Sequence, residues 1–498
     1  MNQQTCVMGV DIGTTRLKVS AFLGDGTTIA ARTHDIAMEY SESGGAAQDI
    51  DAIYDAAVAL MLSVVREAET QRIRVGVVGI SAAMHSLVPL AADNTPLSLA
   101  MTWLDRRATD EARQLQSTDF GQQLYLRTGV PVHAMTPLSK IKWLAAQHPQ
   151  IFSRAARFVS IKEYLWYRWF HAWEVDVSMA GATGFFNLAR HDWDAQALAY
   201  AGIHSSQLSR IVDTRLVRQG TMEPRFQNTP LERDIPFCVG STDGLLATWV
   251  ATALKPDVAG LSVGTSLAVR WYSPEPAVDS DTRVFCYPLS RGSYVVGAPS
   301  NNGGIVLDWM LHHLFSPAAA GEEDLQRLLR LARDVNADRL FCVPYISGER
   351  APFWNDQASM SLVGLTLRHR RRHIVRATVE GILFNAYWIW SLTRPTHRTF
   401  SHIVVSGRLF SFPWIAQICA DLFGLPLEVS EDNDQATLGA ALWAANAGEP
   451  TSFSPIPTVK TMMPHQDAHT IWMKKYAEYR QLCQQLKVEA APPENGSL

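Results

Sequence analysis

Several features that assign a protein to a broad class are missing from this sequence. Its 498 residues include only six cysteines, and none forms a Cys-x-x-Cys pair or a Cys/His cluster with the spacing of zinc ligands. This excludes a disulfide scaffold and a structural zinc module, and the cysteines are expected to be buried, reduced thiols. The P-loop pattern Gly-x-x-x-x-Gly-Lys-Ser/Thr is also absent, so a phosphate site of that type is excluded.

Long apolar runs and an excess of positive charge are missing as well. No stretch approaches the ~20 apolar residues of a membrane span. The first residues, 1–6, lack the basic and apolar segments of a signal peptide. The formal net charge is −4, so there is no basic surplus for nucleic acid. The sequence therefore predicts a soluble, cytoplasmic protein with neither a nucleic-acid nor a membrane partner.

The feature that is present is a repeated motif. Residues 9–15 and 260–266 are both apolar runs that end in a glycine followed by two hydroxyl residues. The two glycines, Gly13 and Gly264, lie about half the chain length apart. This repetition predicts one phosphate-binding hairpin that is used once in each of two domains. A chain built in this way can hold a nucleoside triphosphate between two lobes.

The order of predicted elements indicates an α/β fold with mixed sheets. The chain is too long for one core, and we expect domains over 1–245 and 246–488, followed by a disordered tail over 489–498. In the first half, the patterns predict strands within 6–22 and over 28–37 and 74–80, and a helix over 49–68. In the second half, they predict hairpins within 259–296, strands over 340–345 and 402–406, and helices over 324–335, 414–423 and 436–447.

The first turn, Gly13-Thr14-Thr15, carries the groups that phosphate chemistry needs. Its backbone N–H groups and the hydroxyls of Thr14 and Thr15 can donate to phosphate oxygens. Asp11 can orient Mg²⁺ through water, because Mg²⁺ takes few carboxylates and keeps its waters. Lys18 adds positive charge near a transferring phosphoryl group. The alternative is that this stretch is an ordinary hairpin turn that binds no phosphate. The second turn, Gly264-Thr265-Ser266, indicates a phosphate site mainly because it repeats the first turn.

Three further stretches each follow a predicted strand, and strand ends are where ligands bind in α/β folds. Asp243 is placed to act as a general base that takes a proton from an attacking hydroxyl. The alternative is that it caps a helix starting at Gly244. Met84 and His85 follow the central strand of the first half. Trp103 follows a second short strand, just before the pair Asp105 and Arg107, which is alternatively a structural ion pair.

Together these motifs resemble the FGGY carbohydrate kinase family of the actin-like ATPase superfamily. The residues that carry the resemblance are Asp11-Ile12-Gly13-Thr14-Thr15, Met84-His85, Trp103-Leu104-Asp105-Arg106-Arg107, Ser241-Thr242-Asp243-Gly244, Val263-Gly264-Thr265-Ser266, Gly348-Glu349-Arg350-Ala351-Pro352, Glu380-Gly381 and Leu438-Gly439-Ala440-Ala441. The resemblance implies two ribonuclease-H-like domains with a cleft between them. It also implies ATP with Mg²⁺, phosphorylation of a sugar or polyol hydroxyl, and Asp243 as the catalytic base.

Within the family the sequence is most similar to gluconokinases. The similarity lies in residues 83–87, 132–141, 160–164, 301–305 and 348–354. It implies Gly304 and Gly407 in the nucleotide site, and Met84, His85 and Trp103 in the sugar site. One departure is the adenosine-side motif, which usually reads Ser-Gly-Gly and here reads Ser406-Gly407-Arg408. Arg408 could clash with the nucleotide or stack on its base.

The predicted reaction is ATP-dependent phosphorylation of a sugar acid, D-gluconate, to 6-phospho-D-gluconate. A buried substrate carboxylate requires a cation, for which Lys140 is the first candidate and His85 and Arg107 compete. The alternative is that Lys140 is a solvated helix residue. A pentulose such as xylulose is the alternative substrate. A non-kinase actin-like ATPase and a sugar sensor are the alternatives from other classes. The sequence is compatible with a homodimer.

Overall fold

The computed structural model describes residues 4–279, 283–315, 322–355, 357–393, 399–430, 434–448 and 460–488. The predicted disordered tail, 489–498, lies outside these ranges. The strands of the first half are β1 Thr5–Ile12, β2 Arg16–Phe22, β3 Thr28–Asp35, β4 Glu39–Tyr40, β5 Ala46–Gln48, β6 Arg74–Ala82, β7 Val88–Leu90, β8 Ala100–Met101, β9 Arg157–Val159, β10 Glu174–Asp176, β11 Phe186–Asn187, β12 Asp192–Trp193, β13 Arg210–Val212, β14 Val217–Arg218 and β15 Phe237–Thr242.

The remaining elements are nine strands and all of the α-helices in the described ranges. The strands are β16 Val258–Val263, β17 Leu267–Ser273, β18 Phe285–Ser290, β19 Ser293–Ser300, β20 Phe341–Val343, β21 Ser361–Val363, β22 His402–Ser406, β23 Leu427–Val429 and β24 Lys460–Met462. The helices are α1 Ile50–Thr70, α2 Thr109–Gln116, α3 Asp119–Thr128, α4 Pro137–Gln147, α5 Pro149–Arg154, α6 Ile161–Phe170, α7 Val177–Gly181, α8 Ala195–Ala201, α9 Pro230–Arg233, α10 Asp243–Thr252, α11 Gly304–Met310, α12 Glu322–Arg333, α13 Arg371–Thr393, α14 Pro413–Phe423, α15 Gln435–Gly448 and α16 Gln466–Gln485.

Two large mixed sheets repeat the same plan, which confirms the predicted α/β fold. The first has the strand order β14-β15-β6-β1-β2-β3, and the second has the order β18-β19-β17-β16-β22-β23-β24. Each contains an antiparallel meander, β1–β2–β3 or β16–β17–β19, beside two further parallel strands, β6 and β15 or β22 and β23. The carboxyl ends of parallel strands meet at one edge, so each sheet gathers its following turns there.

The predicted helices and strands are present with small shifts of their ends. Asp49 is the N-cap of α1, and its carboxylate accepts hydrogen bonds from the backbone of Asp51 and Ala52. The strand predicted over 340–345 is shorter than expected. It spans only β20 and pairs only with β21, outside the second large sheet. Pro344 follows β20 directly, and proline has no N–H with which to continue a strand ladder.

Two helices couple the halves of the molecule. Helix α15 belongs to the second half of the sequence but packs directly on the first sheet. A Cβ added to Gly9 would lie 2.0 Å from the carbonyl oxygen of Thr437, and one added to Gly79 would lie 1.9 Å from that of Ala440. Only glycine permits this approach of helix backbone to strand. Helix α10 runs without interruption across the boundary predicted between residues 245 and 246.

All six cysteines are buried and free, as expected for reduced thiols. Within the described ranges, no helix combines the length and the apolar character needed to cross a membrane.

Candidate active site

The edge of the first sheet brings two carboxylates together. In the strand register, Asp11 of β1 lies opposite Ser81 of β6, which in turn lies opposite Ser241 of β15, two residues before Asp243. The Asp11 side chain is buried and accepts a hydrogen bond of 2.7 Å from the Ser81 hydroxyl. Burial, followed by the nearby negative charge of Asp243, raises the pKa of Asp11 to about 7. The site therefore carries negative charge that a cation would stabilise.

Asp243 is the first residue of α10, immediately after β15. Its carboxylate accepts a hydrogen bond of 2.7 Å from the backbone N–H of Gly244. The N-cap position belongs to Thr242, so the alternative that Asp243 itself is the cap is wrong. Burial raises the pKa of Asp243, opposed by the Gly244 N–H and by the charge of Arg270. A partly exposed carboxylate with a raised pKa is a stronger base than an ordinary carboxylate, which suits it to accept a proton.

Arg270 is a site residue that the sequence reasoning missed. It lies on β17 of the second sheet, where its Nη1 donates to the Ser262 hydroxyl at 3.0 Å. Its Nη2 is 3.2 Å from the position that a Cβ on Gly244 would occupy, so this glycine leaves room for the guanidinium. The charge of Asp243 opposes the lowering of the Arg270 pKa by burial. In the sequence, this role could have been suspected because Arg270 is a single charged residue within an otherwise mostly apolar predicted strand.

A buried polar network lies behind Asp243 and was also missed. Lys162 forms an ion pair of 2.7 Å with Asp176, and both side chains are at most 2% exposed. The Lys162 ammonium also donates to the carbonyl oxygen of Ser241 at 3.1 Å. The Ser178 hydroxyl accepts from the backbone N–H of Thr242 at 3.2 Å and lies 2.7 Å from that of Ser241. The network holds the end of β15 and thereby orients Asp243.

The first turn is tight and is tied to Trp103. The backbone N–H of Gly13 donates to the carbonyl oxygen of Arg16 at 3.0 Å. The Trp103 Nε1–H donates to the Thr14 hydroxyl at 2.8 Å, which places the indole directly beside this turn. Thr15 is exposed. These contacts leave the Thr14 hydroxyl hydrogen available for a further acceptor.

Lys18 forms an ion pair between the two halves of the chain. Its ammonium lies 3.0 Å from the carboxylate of Asp434, which directly precedes α15. The two side chains join the first hairpin to the second half of the chain. The positive charge expected near a phosphoryl group is therefore already paired in this structure.

The second turn forms a cradle of backbone with two other glycine segments. Gly264 is exposed, and no atom lies within 4 Å of the position of an added Cβ. The backbone N–H of Gly304 donates to the carbonyl oxygen of Gly264 at 2.7 Å. Gly407 has a φ of 112°, and a Cβ there would lie 2.1 Å from the carbonyl oxygen of Val263. The ends of β16 and β22 and the start of α11 thus meet without side chains between them.

Arg408 is held against α11 rather than left free to enter this cradle. Its Nη2 lies 3.1 Å from a carboxylate oxygen of Asp308, and both side chains are partly exposed. The two alternatives for Arg408, a clash with the nucleotide or stacking on its base, stay predictions, because this salt bridge joins two side chains at the surface.

His85 is neutral in this environment. It has a φ of 69°, its Nδ1 lies 2.8 Å from the carbonyl oxygen of Ala182, and its Nε2 lies 3.4 Å from the Tyr287 hydroxyl. Because a carbonyl can only accept, Nδ1 carries the proton and Nε2 accepts from Tyr287. Burial, followed by the charge of Lys140, lowers the pKa of His85 to about 3. A neutral imidazole does not supply the cation considered for a substrate carboxylate. Met84 is partly buried and packs against two apolar clusters, each of which contains residues from both halves of the sequence.

The alternative that Lys140 is a solvated residue is wrong. The side chain is fully buried, and its ammonium donates to the carbonyl oxygens of His85 at 2.6 Å and Thr102 at 2.7 Å. Burial lowers its pKa to about 7. The ammonium therefore binds the two loops that carry His85 and Trp103, instead of pointing as an open cation into the cleft.

Arg107 is likewise occupied. It forms a salt bridge of 2.6 Å with Asp105, whose side chain is 1% exposed. Its guanidinium lies 4.6 Å from the centroid of the Trp143 ring. This arrangement confirms the alternative of a structural ion pair.

The raised pKa of Asp11 has a measurable consequence for stability. Because the folded protein binds this proton more tightly than the unfolded chain, ionisation of Asp11 destabilises the fold as pH rises toward 7. In metal-free protein, the free energy of unfolding of Asp11→Asn minus that of wild type should therefore increase by ~2 kcal/mol from pH 5 to pH 8. Denaturant titrations of both proteins at the two pH values measure this. If the free energies of unfolding of variant and wild type differed by the same amount at both pH values, this prediction would be wrong.

Comparisons with known proteins agree with this architecture. The sequence model of the N-terminal domain of the FGGY family of carbohydrate kinases matches residues 6–249, and that of the C-terminal domain matches residues 259–448. Gluconokinases from Bacillus licheniformis and Bacillus subtilis are each 32% identical over 485 residues, covering 96% of this chain and 94% of each relative.

Two solved structures from Lactobacillus acidophilus are similar over nearly the whole chain. A ligand-bound xylulose kinase has a TM-score of 0.89, and a gluconate kinase has one of 0.88. Each is 30% identical, and each match covers 97% of this chain and 98% of the other. Because both domain models match in order and together cover most of the sequence, this chain belongs to the FGGY family of carbohydrate kinases.

Proposed function

We propose that this enzyme phosphorylates D-gluconate with ATP to give 6-phospho-D-gluconate. The observation that carries the proposal is the placement of Asp243 at the edge of the first sheet, beside Asp11 and facing Arg270 of the second sheet. The similarity to gluconokinases along 96% of the chain supports the choice of a sugar acid. The non-kinase ATPase and the sensor have no comparable support.

The nucleotide is proposed to lie between the two turns. Gly13, Thr14 and Thr15 face its phosphates from the first half, and Gly264, Thr265 and Ser266 face them from the second. Gly304 and Gly407 complete the cradle on the adenosine side, where an added Cβ at Gly407 would clash with backbone. Lys18 adds its charge at the first turn when its pairing with Asp434 loosens. The glycine cradle is the feature of this structure that fits a nucleotide.

The residues present also fit a magnesium ion. Asp11 is a buried carboxylate with a raised pKa beside Asp243 and Asp434, so a cation stabilises it. Within the described ranges, no three His, Cys, Asp or Glu side chains converge on a metal position. This suits an ion held by one carboxylate, water and phosphate. Bound there, Mg²⁺ would neutralise phosphate charge during transfer.

The proposed chemistry is carried by two side chains from opposite halves. The Asp243 carboxylate accepts the proton of the attacking hydroxyl as that oxygen bonds to the γ-phosphorus and the bond to the bridging oxygen of ADP breaks. Arg270 stabilises the negative charge of the transferring phosphoryl group beside it. Met84, His85 and Trp103 form the wall against which the polyol chain lies, and Lys140 holds the loops of the latter two.

A pentulose is the second candidate, because the ligand-bound xylulose kinase from Lactobacillus acidophilus is as similar in fold as the gluconate kinase. A coupled ADP-release assay with gluconate, xylulose, ribulose and glycerol separates the candidates. We expect kcat/KM for gluconate to exceed each of the others at least tenfold. A tenfold preference for a neutral pentulose would overturn the sugar-acid assignment and leave the kinase assignment in place.

A further inference from the structure

We propose that the indole N–H of Trp103 positions the Thr14 hydroxyl for the nucleotide, so that this one side chain serves both substrates. The inference rests on the proposed function, because it concerns the sugar wall and the phosphate turn of the same cleft. The Trp103 Nε1–H donates to the Thr14 hydroxyl oxygen at 2.8 Å, although the two residues are 89 positions apart in the sequence. A side chain of the proposed sugar wall therefore contacts the proposed phosphate turn directly.

This hydrogen bond fixes the role of the Thr14 hydroxyl. An indole nitrogen can only donate, so the Thr14 oxygen is the acceptor, and its own hydrogen must point elsewhere. Within the part of the chain that the structure describes, the Thr14 side chain forms no other hydrogen bond. A phosphate oxygen is the kind of acceptor that this hydrogen lacks, and a hydrogen bond to a charged acceptor is strong.

The main chain of Thr14 is held from the same small sheet. The side-chain amide of Gln48, a buried residue, donates to the Thr14 carbonyl oxygen at 2.5 Å. Gln48 ends β5 and lies opposite Ala100 of β8 in the strand register, and Trp103 follows β8 by two residues. The sheet of β4, β5 and β8 thus anchors both side chains that hold Thr14.

A small cavity joins this pair to the proposed sugar wall. Thr14, Met84 and Trp103 all line it, together with Gln48. From the second half of the chain, the Cζ of Arg350 lies 5.1 Å from the centroid of the Trp103 ring, so both halves contact the indole. A sugar bound on Met84 and Trp103 would restrict the indole further and, through the hydrogen bond, the Thr14 hydroxyl. Bound sugar should therefore tighten nucleotide binding, and the nucleotide should tighten sugar binding by the same factor.

The test measures nucleotide affinity without any sugar, where a role of Trp103 confined to the sugar has no effect. The probe is the non-hydrolysable ATP analogue AMP-PNP with magnesium chloride, and calorimetric titration gives its Kd. We expect Trp103→Phe, which keeps a ring but removes the N–H, to raise this Kd ~3–10-fold, as for loss of one neutral hydrogen bond. Thr14→Val removes the donor to a charged phosphate and should raise it ~10–100-fold. Thr14→Ser keeps the hydroxyl and should stay within about threefold of wild type.

The double variant shows whether Trp103 acts through Thr14. In the Thr14→Val background, Trp103→Phe should change the Kd of AMP-PNP less than about twofold, because the hydroxyl that the indole positions is gone. Saturating gluconate should tighten AMP-PNP binding to wild type at least about fivefold, and Trp103→Phe should lose most of this gain. Where Trp103→Phe does not fold, Trp103→Met takes its place in the same cycle.

Trp193→Phe is the matched control, since its indole N–H donates to the carbonyl oxygen of Ser209 at 3.2 Å. It should leave the Kd of AMP-PNP unchanged. An unchanged Kd in Trp103→Phe without sugar, or an equal rise in the wild-type and Thr14→Val backgrounds, would overturn the positioning role. A gain in wild type with xylulose but not with gluconate would overturn the sugar-acid assignment and leave that role in place. Failure of wild type to bind AMP-PNP would overturn the proposed nucleotide site itself.

Discussion

Replacing Asp243 by Asn should lower kcat by a factor on the order of 10²–10⁴, while KM for ATP and for gluconate changes only a few-fold. The amide keeps the size of the carboxylate and can still accept the hydrogen bond from the Gly244 N–H. It cannot accept the proton of the attacking hydroxyl. Steady-state rates from the coupled ADP-release assay, with each substrate varied in turn, measure the effect.

The control for this variant is Asp93→Asn, an exposed carboxylate in a turn of the first half that accepts from the Thr95 N–H at 3.0 Å. Its kcat should equal that of wild type. The melting temperature of ligand-free Asp243→Asn should not fall, because the substitution removes a partly buried carboxylate whose pKa is raised. Retention of more than about a third of the wild-type kcat would rule out the base role.

Replacing Lys162 by Met should lower the free energy of unfolding by about 3–5 kcal/mol. The variant leaves the Asp176 carboxylate, which is 1% exposed, without its cationic partner. It also removes a donor to the carbonyl oxygen of Ser241 near the end of β15. Denaturant titration followed by far-ultraviolet circular dichroism measures the loss in the free energy of unfolding.

Two further variants separate the buried pair from general effects of losing a charge. Arg16→Met breaks the exposed pair of Arg16 and Asp35 and should cost less than about 1 kcal/mol. Lys162→Met combined with Asp176→Asn should recover part of the loss, because the amide leaves no unpaired charge and still caps α7. A loss below about 1 kcal/mol in Lys162→Met would show that the ion pair does not hold this region.

The sequence determined those features that depend on local patterns. The repeat of an apolar run, a glycine and two hydroxyls predicted two similar halves, and the second sheet repeats the strand order of the first with β18 added at one edge. Because strand ends can be recognised from apolar runs, the sequence also placed Asp11, Met84 and Asp243 at the ends of strands, and the strand register of the structure brings these ends to one sheet edge. The resemblance to a kinase family depended on the same short motifs.

The tertiary structure alone decided which charges are available in the cleft. From the sequence, Lys140 and Lys18 were expected to be cations available to a ligand. In the structure, each is hydrogen-bonded to partners in segments 38 to 416 residues away. Arg270 carries no motif of its own that marks it as a site residue, yet it lies beside Asp243. Arg350 belongs to the motif over 348–352, but its position on the face of Trp103 could not be read from that motif. The physical reason is that burial and pairing fix the protonation and the free hydrogen-bonding capacity of a side chain. Both depend on how distant segments pack, which local sequence patterns do not record.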